Sequence, residues 1–144
     1  MRISAKAEYA CVAMLELAAG HRAPQPLRIK AIADAQGIPQ RFLVQILLQL
    51  KTAGLVASVR GASGGYQLAR PPEKISLADV ITAIDDRGLT ARSALGEANR
   101  SPAVEVLLAT WREVQEQEQR LLEGLTLADL LRRAQRSSSL SYQI

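Results

Sequence analysis

The spacing of apolar positions changes several times along this chain, and each change marks an element. Behind Ser4, a good N-cap, Tyr9, Val12, Ala13, Leu15 and Leu17 recur with helical spacing and predict a first helix ending about Gly20. The proline-containing stretch 21–26 breaks it. A second helix is expected over Ile29–Gln36, stopped by Gly37. Leu43, Ile46, Leu47 and Leu50 then fall at i, i+3, i+4 and i+7, one buried face of a third helix that Gly54 ends. Next the pattern suits strands. LVASVR (55–60) and YQLAR (66–70) read as two short strands around the turn GASGG. Residues 71–74 interrupt, and Ser76 with Asp79 has capping-box spacing at the start of a fourth helix.

Residues 86–100 are polar, contain glycine and show no period, and read as a loop or linker. Ser101 and Pro102 open a long helix reaching about Gly124. Along it Val104, Leu107, Trp111, Val114, Leu121 and Leu125 form a heptad-like stripe, broken at Glu118. A helix at the edge of a small domain has little of its own core to cover with such a stripe, so a partner helix is implied. Thr126 and Asp129 cap a final short helix expected to end near Gln135, with a frayed, flexible tail over 136–144.

The order helix, helix, helix, hairpin predicts a winged helix-turn-helix in a mainly α protein with one small β-hairpin. Three regions follow: the winged unit over 1–75, a helix and linker or effector loop over 76–100, and a dimerisation helix with a short C-terminal helix over 101–144. With its leucine face turned inward, the third helix presents Gln40, Arg41, Val44, Gln45, Leu48 and Lys51 outward. A helix has the width of a major groove. Arg41 suits guanine, Gln45 adenine, Val44 a thymine methyl and Lys51 a phosphate. The hairpin tip, VRGASGGYQL from Val59 to Leu68, carries Arg60 at its shoulder and Gly61, Gly64 and Gly65 beside it. The glycines let a tight loop approach the sugar–phosphate wall, and Arg60 suits a narrow minor groove. A phosphate-cradling nucleotide loop is the rival reading of GASGG. It lacks the lysine of a P-loop and joins strand to strand.

Charge sharpens this picture. Residues 1–75 carry 10 Lys and Arg against 4 Asp and Glu, and residues 76–144 carry 8 against 10. The basic half suits a polyanion. The alternative function is a winged-helix module that contacts an acidic protein partner. That role would not need Arg41, Gln45 and Arg60 together on one surface. No base, nucleophile and metal set converges, so no enzyme is expected. The single cysteine, Cys11, excludes an internal disulfide and a thiolate-rich metal site and reads as a small buried hydrophobe, while His21 reads as a surface residue. The amphipathic start, interrupted by Lys6, Glu8 and Glu16, is a helix rather than a signal sequence, and no stretch has membrane-spanning length. A cytoplasmic protein is expected.

The stretches MRIS…K.EYA, IADAQGIP, FLVQIL.QLK.AGLV.SVRGASGGYQLAR and SLADVITAID resemble the Rrf2 family of bacterial transcription regulators, and the wing motif SVRG.SGGY.L is the most specific of them. The resemblance covers nearly the whole chain. It implies a homodimer with crossed long helices, bound to a pseudo-palindromic operator and acting as a repressor. It also implies phosphate contacts from Arg2, Ser4, Lys6 and Tyr9, and brings Ser63 and Tyr66 into the wing surface. Many members hold an iron–sulfur cluster through three cysteines spaced C-x5-C-x5-C before the long helix. The matching positions are Ser93, Asn99 and Glu105, and a histidine ligand position falls on Leu108. Glu8 matches a carboxylate that some members offer. Without thiolates no cluster is expected, and no cofactor. The recognition helix also departs from cluster-binding members: Val44 replaces a glutamate and Phe42 a tyrosine.

Overall fold

The computed structural model describes residues 2–21, 25–85 and 101–142. Its elements are α1 (Ala5–Ala19), α2 (Ile29–Gln36), α3 (Gln40–Thr52), β1 (Val56–Val59), β2 (Gly65–Leu68), a 3-10 turn (Pro72–Lys74), α4 (Leu77–Ile84), α5 (Pro102–Glu123) and α6 (Leu127–Tyr142).

Helix α1 is the central post. The Ser4 side chain accepts from the Ala7 N–H at 3.0 Å and so starts it. Its inward face is built on Ala7, Ala10 and Ala13, all fully buried, whose small side chains let neighbours approach closely. Against α1 pack α2, α3, α4, α6 and β2. Between α2 and α3 the chain turns at Gly37, which sits in the left-handed region at φ 66°. Leu43, Ile46, Leu47 and Leu50 of α3 are all fully buried, as their spacing predicts. Each such leucine or isoleucine contributes about 1.5–3 kcal/mol by leaving water.

The antiparallel hairpin pairs Val56 with Leu68 and Val59 with Gly65; β1 is one residue shorter at each end than expected, and β2 begins one residue earlier and ends two residues earlier. Leu27 adds a bridge on the far side of β2: its N–H donates to the Tyr66 carbonyl and its carbonyl accepts from the Tyr66 N–H, both at 2.8 Å. The hairpin is thereby tied to the segment that enters α2.

Two reciprocal caps organise the second half. Ser76 and Asp79 form a full capping box at α4, and Thr126 and Asp129 exchange the same pair of bonds at α6. A backbone bridge between Ser76 and Thr126 sets the two helix starts side by side, with Leu77 N–H on the Leu125 carbonyl and Leu127 N–H on the Ile75 carbonyl. The bond from the Thr126 backbone N–H, followed by contributions from the Thr126 hydroxyl and Arg132, holds the Asp129 carboxyl below the ordinary carboxylate value.

The C-terminal helix differs from expectation. It does not stop near Gln135 but continues to Tyr142. No glycine or proline follows Leu127, and serines are only middling helix formers rather than breakers, so Ser137–Ser139 do not end it.

Helix α5 starts as expected, with Ser101 accepting from the Val104 N–H at 3.2 Å and Pro102 in the first turn. Its one buried residue is Leu122, packed with Ala78 and Ile81 of α4. Leu125 lies past the end of the helix, in the segment bridged to α4.

Candidate nucleic-acid interface

Because the four core residues of α3 face inward, its other side is open. Gln40, Arg41, Phe42, Val44, Gln45, Leu48 and Lys51 are all exposed. The Arg41 guanidinium carbon lies 4.9 Å from the centre of the Phe42 ring, a cation–π distance that favours one orientation of a long side chain. Lys51 is not free: its Nζ donates to Ser58 Oγ at 2.7 Å and links the end of α3 to β1. No carboxylate occurs anywhere in α3. Across residues 27–70 there are six Lys and Arg and one acid, Asp34.

The wing stands beside this helix. Arg60 and Ser63 are exposed. The glycines answer to the fold as well as to any ligand. Gly61 adopts φ 107° and its carbonyl accepts from the Gly64 N–H at 3.0 Å. A Cβ on Gly64 would lie 2.2 Å from the Val59 carbonyl oxygen. A Cβ on Gly65 would lie 2.4 Å from the Leu27 carbonyl oxygen, and Gly65 itself has φ 151°. Tyr66 is half-buried and packs against the core. Arg28, which the sequence did not single out, donates to the Ala62 carbonyl and holds the wing tip from the α2 side. The wing is thus fastened twice to the two residues that precede α2.

At the N-terminus Arg2 is exposed, Lys6 is half-buried, and Tyr9 packs against the core. Ser4 is occupied within the protein: besides capping α1, its hydroxyl donates to Asp85 Oδ1 at 2.7 Å, and its N–H donates to Asp85 Oδ2 at 3.3 Å. Asp85, the residue that follows α4, was not singled out from sequence.

The stripe on α5 is exposed at Leu107, Trp111, Val114 and Leu121, with Val104 half-buried; Val106, outside the stripe, is open as well. Trp111 is 48% exposed and Leu121 68%. Large apolar side chains this open over several turns form an uncovered face rather than scattered surface residues.

The residues present do not fit an iron–sulfur cluster, which is held by thiolates. Of the positions that match the family ligands, Ser93 and Asn99 lie outside the described residues; Glu105 is exposed and Leu108 half-buried on α5. Of the helix and linker or effector loop expected over 76–100, residues 86–100 also lie outside the described residues. Among the described residues no three of His, Cys, Asp and Glu come together as a metal site. Cys11 is half-buried, and its thiol is pushed up to about 11, first by burial and then by Glu8 and Asp85. It stays protonated at neutral pH, which makes it a poor ligand and nucleophile. His21 is exposed.

Comparison with known proteins decides what this geometry belongs to. The Rrf2 family profile, described as an iron-dependent transcriptional regulator, matches residues 3–133. The chain belongs to the Rrf2 family. IscR of Aliivibrio salmonicida is 35% identical to this Rrf2 regulator over 132 residues, 91% of this chain and 77% of that protein. A relative from Mycobacterium tuberculosis, provisionally named a helix-turn-helix transcriptional regulator, is 44% identical over 131 residues, 90% of this chain and 81% of its own. The solved structure of IscR from T. potens superposes with a TM-score of 0.77 at 34% identity, over 95% of this chain and 90% of that one. CymR, the global cysteine regulator of B. subtilis, superposes with a TM-score of 0.77 at 33% identity, over 90% of this chain and 95% of that one. The fold is therefore a winged helix-turn-helix, mainly α with one hairpin. This Rrf2 protein is a DNA-binding transcriptional regulator and not an enzyme. Among its described residues no helix is long and apolar enough to cross a membrane.

Proposed function

We propose that this Rrf2 regulator acts as a homodimeric repressor on a pseudo-palindromic operator in the cytoplasm, without an iron–sulfur cluster. The observation that carries the reading is the joint surface of α3 and the wing: Arg41 and Gln45 exposed on a helix without carboxylates, with Arg60 exposed on a wing fastened at its tip. In this reading α3 lies in the major groove and the wing follows the backbone into the adjoining minor groove. Arg2, Lys6 and Lys51 add phosphate contacts that fix the register without reading sequence. Ser4 contributes by holding the start of α1 through Asp85, and Tyr9 and Tyr66 by packing beneath the surface.

The open stripe from Val104 to Leu121 on α5 is covered by the same stripe of a second copy. Leu125 joins that interface from the segment past the helix. Two copies place two α3 helices on one side of a duplex, which calls for an inverted repeat in the operator. Occupying such a site excludes polymerase, which makes repression the simplest outcome.

One preparation tests both halves of the reading. Full-length protein purified without oxygen is mixed with sheared chromosomal DNA at about 0.1 M salt, where phosphate contacts still hold. Retained fragments share an inverted repeat, and the protein is colourless and free of iron. Failure to retain any fragment contradicts the operator reading. A brown protein with stoichiometric iron contradicts the cluster-free one.

A further inference from the structure

A helix lying in a major groove presents side chains at i, i+3, i+4 and i+7 to the base edges. On α3, counting from Arg41 in the first turn, these are Arg41, Val44, Gln45 and Leu48. All four are exposed, and Leu48 is 61% exposed, more open than Phe42 or Val44 on the same helix. Half of the reading face is therefore aliphatic. Val44 and Leu48 stand one turn apart at i and i+4, so their side chains adjoin.

Among the four bases only thymine offers an apolar group in the major groove, its C5 methyl. Cytosine is read through a carboxylate that accepts from its amino group, and α3 has none. An aliphatic pair beside Arg41 and Gln45 matches neither the acceptors of guanine nor the acceptor and donor of adenine. The charge around it, six cations to one anion over residues 27–70, selects a polyanion over a second copy of this chain or an acidic-poor protein surface.

We infer that Val44 and Leu48 together form a thymine-methyl reader, with Leu48 the specificity-determining residue that its exposure singles out. Each half-site then carries two thymine methyls packed against this pair, next to the bases paired by Arg41 and Gln45. The inference rests on the operator reading above and specifies which bases that surface takes.

The probe is a duplex enriched by the full-length protein from a random library, remade with deoxyuridine in place of thymine one position at a time. Uracil keeps the pairing and the hydrogen-bond edge and removes only the methyl. Two positions per half-site weaken binding about four-fold each, the worth of one buried methyl group. Leu48→Ala abolishes the response at one of them and Val44→Ala at the other, while the remaining positions respond as before. Both side chains are exposed, so unchanged melting of the variants shows that folding is not the cause. An enriched duplex that binds equally well with uracil throughout overturns the methyl reader and leaves the operator reading standing. Variants that keep the full uracil response, or that change the oligomeric state instead, also overturn it. If no duplex is enriched, the operator reading fails and takes this inference with it.

Discussion

A methyl group on Gly65 would reach within 2.4 Å of the Leu27 carbonyl oxygen, and the paired bonds between Leu27 and Tyr66 could not close. Five residues earlier, Arg60 is exposed on the same wing and no comparable contact constrains it. The two positions therefore separate fold from binding. Gly65→Ala lowers stability by about 1–3 kcal/mol, since it combines a backbone clash with an unfavourable φ, and thermal melting shows the loss. Arg60→Ala melts as the parent does, but binds duplex more weakly and with a salt slope shallower by about one. An Arg60→Ala protein with the parent's affinity and slope removes the wing from the interface. A Gly65→Ala protein with the parent's melting point removes the docking argument. Lys51 shows why residue type alone is an incomplete guide. From sequence it is a phosphate contact; in the fold its ammonium also ties α3 to the hairpin through Ser58.

Among the elements, α3 and the helix starts were readable because side chains carry the signal. Four core residues at helical spacing give α3 its face, and Ser or Thr three positions before Asp announces α4 and α6. The bridges Leu27–Tyr66 and Ser76–Thr126 left no such trace, because they join backbone to backbone and any residue can supply them. The continuation of α6 was hidden by serines that neither favour nor stop a helix strongly. On α5 the heptad count marks Leu121, while the core takes Leu122. The inward line of Leu108 and Leu122 follows the 3.6-residue period of a straight helix. The stripe beside that line is left for another surface. Trp111 is exposed, so Trp111→Glu leaves the melting of the single chain intact and weakens self-association at least about tenfold, or roughly 1.4 kcal/mol. Sedimentation equilibrium measures this directly. A variant that associates like the parent moves the dimer contact off α5.

At the scale of the whole molecule the basic excess belongs to residues 1–75, and the open apolar face belongs to α5 in the other part of the chain. This division suits a protein that binds nucleic acid with one part and itself with the other. The two tasks depend on each other. In the proposed dimer, one copy of α3 with its wing would cover a single half-site, whereas two copies held at a fixed separation would cover both and add their phosphate contacts on one duplex. The most direct measurement is the mass of the complex between the full-length protein and an enriched chromosomal duplex at sedimentation equilibrium. The account predicts two chains on each duplex, and a single chain per duplex, or no complex at modest salt, contradicts it.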